Sequence, residues 1–154
     1  EKEQRKALFG TFADAFRPVK PFRWSLEGRE LLEIPVTTMP FAKVPIHLSY
    51  VLYLSKFSKL AARAYWRTAL AMCRLTGTVP SILLHPLDFL GREDCPALHF
   101  FPGMDLPRDA KLEIVDHVLG TLTARYEAVT MREHARRLRE QPPQRVLTPE
   151  PARS

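Results

Sequence analysis

The sequence predicts an α/β fold, and within that class the C-terminal part of a (β/α) barrel. Three observations carry this. The run Ser81-Ile82-Leu83-Leu84 leads from the Gly77/Pro80 break to His85-Pro86 and has the length and apolarity of a buried strand. Segments of helical period alternate with it and with two other strand candidates, the pattern of parallel strands with helices packed outside. Only three such strands are found, fewer than a closed barrel needs, so the chain reads as a fragment of a larger one. Its 154 residues, 45% hydrophobic and 26% charged, are enough for one domain with a sizeable core.

Taken in order, residues 2–16 read as a short helix with Leu8, Phe9, Phe12 and Phe16 on related faces, ended by Pro18. Residues 17–24 form an extended connector directed by Pro18 and Pro21. Residues 31–37 are a strand candidate whose Pro35 suggests an edge or a bulge. Pro40 and Pro45 mark a loop that passes through His47 into a helix over 48–54. Ser58 is the N-cap of a second helix that runs to Thr76, with Gly77 as its stop. Lys59, Arg63, Arg67 and Arg74 fall on one side of it, and Leu60, Ala61, Ala64, Tyr65, Ala69, Met72 and Cys73 on the other. The strand 81–85 follows, then an aromatic-rich loop over 86–106. Pro107 opens a helix with a stripe of Leu112, Val115, Val118, Leu119 and Leu122. Residues 126–131 read as a last strand and 132–139 as a closing helix. The expected division is a domain over 1–140 and a disordered, proline-containing tail over 141–154.

Composition narrows the partners. Of the net charge of +6, half lies in 132–154, where six Arg face three Glu. No aromatic-interleaved basic patch accompanies the excess, so no nucleic-acid partner is expected, and an anionic surface such as a lipid or glycan phosphate matches it better. No apolar run approaches the roughly 18–20 residues that span a bilayer. Cys73 and Cys95 are too few for a zinc site or a disulfide framework. Cys73 is read as core and Cys95 as a loop residue, and a bond between them is left open.

His85 is the sharpest candidate for chemistry. Pro86 forces it into extended geometry, which places it at the carboxyl end of a strand, where α/β folds usually carry their chemistry. A histidine there exchanges protons near neutral pH. A strand-end imidazole satisfied by a backbone carbonyl is an equal reading. Asp88 either orients that imidazole or caps the turn after Pro86. His47 reads as flanking the N-terminus of its helix, with a place near the same rim as the alternative. His99 and His117 have no metal-ligand spacing, and His134 reads as a solvated helix residue. No HExxH, GxSxG, glycine-rich phosphate loop or catalytic triad is present. The residues alone supply one acid/base group and no metal site.

The stretches Leu31–Pro40, Ile82–Pro86 with Asp88-Phe89, Phe101-Pro-Gly-Met104 and Tyr126–Met131 resemble the C-terminal half of the polysaccharide deacetylase family, the NodB-homology domain of carbohydrate esterase family four. The resemblance covers roughly residues 8–139, and its most specific element is the apolar run ending in His-Pro. It implies a distorted (β/α) barrel that removes an N-acyl group, usually acetyl, from a polymeric or lipid-linked amino sugar. His85 matches the family's general acid, and Leu83 and Leu84 match the strand that walls the acyl pocket. The resemblance also implies a divalent metal, commonly zinc. The paired acids and the His-x-x-x-His that bind it belong upstream of this chain, so this chain alone is expected to be inactive. The Asp-Trp partner that tunes the acid in many members is absent, which leaves Asp88 as the stand-in.

Two other readings remain: a non-catalytic glycan- or protein-binding module built on a partial barrel, with 86–106 as its contact loop, and a related hydrolase acting on an ester. An incomplete barrel exposes apolar strand edges, so the chain is expected to aggregate or self-associate.

Overall fold

The computed structural model describes residues 18–101, 103–141 and 145–149. The helix expected over 2–16 and most of the expected tail lie outside them. The chain enters a tight hairpin, β1 (Phe22–Leu26) and β2 (Arg29–Glu33), paired antiparallel with Leu26 opposite Arg29. Its two-residue loop, Glu27-Gly28, takes φ of 48° and 78°, the doubly left-handed backbone of a type I′ turn, which matches the twist of the strands. Arg23 pairs with Glu30 across the strands at 2.7 Å, and the Trp24 indole donates to Glu33. The Phe22 ring, buried, meets Trp24 edge-on at 5.2 Å.

Three helices make the core. They are α1 (Leu48–Ser55), α2 (Lys59–Leu75) and α3 (Arg108–Thr123). Val51 and Leu52 of α1, Trp66 and Leu70 of α2, and Ile114 and Val118 of α3 pack together with Met39 and Ile46 from the preceding loop. The Trp66 indole donates to Thr121 Oγ1 at 2.7 Å and so joins α2 to α3. Ser58 caps α2 as expected, accepting the Ala61 N–H. At the other end Gly77 (φ 61°) donates to Arg74 O and Thr78 to Cys73 O, a Schellman closure around the anticipated glycine. The buried face of α2 is Ala62, Trp66, Ala69, Leu70 and Cys73. The expected stripe is thus displaced by about one residue, and Leu60 is exposed. A tryptophan buries far more apolar area than a leucine, so Trp66 sets the rotation of the helix.

The parallel sheet is corrected. Residues 79–85 form neither helix nor strand and join no ladder among the described residues, His85 itself being extended. Thr37 N–H donates to Ser81 O at 2.9 Å, and the Ser81 N–H turns to the Thr37 hydroxyl at 2.7 Å in place of a backbone partner. Proline on both sides imposes extended φ and ψ, but a strand also needs a neighbour along its length. Residues 126–130 likewise form no strand: Tyr126 N–H bonds back to Leu122 O, and Thr130 caps a helix α4 (Met131–Glu140). The third strand, β3 (Val146–Leu147), comes from within the expected tail and lies parallel to β1, giving the order β2-β1-β3. The fold is α/β, with no barrel wall among the described residues.

Candidate functional site

A cavity of about 500 Å³ opens where the N-terminus of α1, the 85–88 turn and α3 converge. Leu52, Tyr53, Leu87 and Phe101 line it with apolar surface, and His47, Ser49, His85, Asp88 and Lys111 bring polar groups. Its size and mixed lining are those of a small-molecule site.

The polar corner is built by local chain chemistry. Pro86 holds His85 extended (φ −112°, ψ 151°) and opens a single 3₁₀ turn, Pro86–Asp88. That turn folds the Asp88 carboxylate back, where its Oδ2 accepts the His85 backbone N–H at 2.8 Å. Ser49, in the first turn of α1, donates its hydroxyl to Asp88 Oδ1 at 2.6 Å and lies 3.0 Å from His85 Nδ1. Asp88 is fully buried and its Oδ2 stands 3.7 Å from that same nitrogen, while the His85 side chain is 46% exposed. Asp88 thus caps the turn, and its carboxylate stands beside the imidazole without a hydrogen bond to it. Ser49 and Asp88 approach the same ring nitrogen. A hydrolytic triad places nucleophile and acid on opposite nitrogens, so this corner is not one.

His47 caps α1, its Nδ1 accepting the Tyr50 N–H at 3.4 Å, and its ring centroid lies 6.4 Å from that of His85. Burial, and next the positive charge His85 can carry, hold the His47 pKa below its ordinary value, with Asp88 acting in the opposite direction. The loop before His47 is pinned by the Tyr65 hydroxyl, which donates to Pro45 O at 2.6 Å; burial is the main reason its pKa is pushed up to about 12. Lys111 lies at the base of the corner. Its ammonium donates to Leu87 O at 2.6 Å, to Leu90 O at 2.7 Å and to Met104 Sδ at 3.4 Å, clamping the loop on either side of Asp88. Burial lowers its pKa, and the nearby acids, Asp88 first among them, oppose the shift.

Of the residues anticipated, His85, Asp88 and His47 meet in this cavity. Leu83 and Leu84 do not line it; they are 40% and 42% exposed on the segment leading to His85. Ser49 and Lys111 were not anticipated. The signal for Lys111 is its place four and seven residues before Val115 and Val118, on the buried stripe of α3. Ser49 carries no such mark, since its partners are distant in sequence. Cys73 is buried and Cys95 partly so, and both are free thiols.

Among the described residues no cluster of three or more His, Cys, Asp or Glu side chains is placed to hold a metal ion. A second hollow, on α4, is lined by Arg132, Arg136, Arg139 and Glu140, and Arg136 is already bonded to Glu133 and Glu140. No described helix is long and apolar enough to cross a membrane. No protein-family model, curated protein or solved structure matches the chain.

Proposed function

We propose that this chain is the late part of a (β/α)-barrel hydrolase of the polysaccharide deacetylase type, with His85 as the general acid that protonates the departing amine of an N-acylated amino sugar. The observation that carries the reading is the pairing of His85 with an apolar cavity. One ring nitrogen is held by Ser49, and the other makes no hydrogen bond among the described residues. In the proposed step a water adds its oxygen to the acyl carbon, and the C–N bond of the resulting adduct breaks as His85 delivers a proton to the nitrogen, leaving a free amine and a carboxylic acid.

The barrel assignment draws on the segment 79–85. Among the described residues its backbone bonds across the chain only through Ser81 to Thr37, and Val79, Leu83 and Leu84 present apolar side chains to solvent. Flanking strands would complete it, and Leu83 and Leu84 would then wall the acyl group. The divalent metal, zinc by family resemblance, finds no ligand cluster among the described residues; on this reading its ligands lie elsewhere in the parent protein. The substrate is a polymeric or lipid-linked sugar, and Arg132 and Arg139 of α4 suit an anionic membrane surface, whereas Arg136 and Arg137 are already paired with glutamates.

The test is acetate release from N-acetylated amino-sugar oligomers by the product of the full reading frame. His85→Ala is expected to lower kcat/KM by about 10²–10⁴-fold, with stability reduced by no more than about 1 kcal/mol for the lost side-chain hydrogen bond. Undiminished release by the variant, or release from O-acetyl sugars alone, would sink the proposal.

A further inference from the structure

We infer that Ser49 is a positioning residue that fixes the tautomer of His85, holding the proton on Nδ1 so that Nε2 is the nitrogen left to exchange protons with a ligand. The tautomer stands on geometry alone, while its catalytic meaning rests on the hydrolase reading above. An ionised carboxylate only accepts hydrogen bonds, and both Asp88 oxygens are taken: Oδ2 by the His85 backbone N–H and Oδ1 by the Ser49 hydroxyl at 2.6 Å. A hydroxyl has one proton. Ser49 commits it to Asp88, so toward His85 Nδ1, 3.0 Å away, it has only lone pairs to offer. That contact is a hydrogen bond only if Nδ1 carries the hydrogen. Asp88 cannot replace Ser49 directly, because its nearer oxygen is 3.7 Å from Nδ1.

The arrangement is braced from outside the ring. Ser49 is held by the first turn of α1, whose N-cap is His47. Asp88 is held by the 3₁₀ turn, and Lys111 clamps the carbonyls of Leu87 and Leu90 on either side of it. The hydroxyl therefore links the end of a helix to a turn far away in sequence, and the link terminates on one nitrogen of one ring.

The experiment is a long-range ¹H–¹⁵N spectrum of the histidine rings in the ¹⁵N-labelled chain, recorded at a pH where the rings are neutral. His85 is assigned by its disappearance in His85→Gln. The wild-type ring is expected to show Nδ1 in the protonated range and Nε2 in the unprotonated range. In Ser49→Ala the population should move toward the Nε2–H form, and Ser49→Thr, which keeps the hydroxyl, should restore Nδ1–H. A generally structural role for Ser49 would not give this pattern. If Ser49→Ala loses its dispersed spectrum, Ser49→Cys takes its place, since a thiol accepts hydrogen bonds poorly. An Nε2–H ring in the wild type, or an unchanged ring in the variant that lacks the hydroxyl, overturns the inference. An Nδ1–H ring in a protein whose acetate release does not depend on His85 upholds the role of Ser49 and overturns only the hydrolase reading.

Discussion

Lys111 is buried, with 1% of its surface exposed, yet no carboxylate lies within ion-pair distance of it among the described residues. An ammonium has three N–H groups, and Lys111 matches them to two carbonyls and a thioether. Hydrogen bonds, helped by the more distant acids, therefore offset its desolvation. Lys111→Met keeps much of the volume and removes every donor, leaving the Leu87 and Leu90 carbonyls without a partner. We expect a loss of about 1–3 kcal/mol for each carbonyl that water cannot reach. At about 2–4 °C per kcal/mol for a chain of this length, the thermal midpoint should fall by several degrees. A midpoint that holds or rises would show that the clamp contributes nothing. The site was legible in the sequence to the extent that its members have local signatures. His85 is announced by Pro86, and Asp88 lies three residues on. Ser49 was invisible because what matters about it is a contact between residues 49 and 88.

At the level of elements, the N-terminus of α3 is docked on the loop that carries Asp88, and Gly91 makes the approach possible. A Cβ there would stand 2.2 Å from Arg108 N and 2.7 Å from its Cα, both main-chain atoms that cannot swing aside. Around it, Glu93 accepts the Arg108 N–H at 2.8 Å, and Asp94 both caps the Gly91 N–H and pairs with the Arg108 guanidinium. Gly91→Ala should push the helix start away from the loop, with a loss of the order of 1–3 kcal/mol typical of overpacking. Chemical denaturation measures it, and a variant as stable as the parent would contradict the close approach. Helix boundaries were the most legible feature of the chain, because Ser58, Gly77 and Pro107 act on the backbone within a few residues. The sheet was not. Phe22–Leu26 does alternate apolar and polar residues, but it directly follows two prolines and so reads as connector, and its turn is Glu-Gly in place of the stronger Asn-Gly signal. The stretch 81–85 has the composition of a strand, but composition cannot supply the partner that makes one.

The molecule as a whole leaves an uncovered apolar margin. Val79, Leu83 and Leu84 are exposed along one segment that joins no ladder among the described residues, an apolar margin that another chain could cover. We expect concentration-dependent self-association in sedimentation, weakened when Leu83 and Leu84 are both replaced by Ser. A parent chain that stays monomeric at high concentration would show that the margin is not adhesive. At this scale the sequence revealed only the class, because alternating helical and apolar segments specify α/β without saying which strands meet. The sheet is completed by β3, two residues long, which joins Arg23 and Trp24 to Val146 and Leu147 near the opposite end of the described chain. The hairpin and the helices can form from neighbours in sequence, whereas this pairing must close almost the whole chain into a loop for very little ladder in return. It should be the last contact made in folding and the first to open, so that amide exchange at Arg23, whose N–H bonds to Arg145 O, outpaces exchange in α2 by a wide margin.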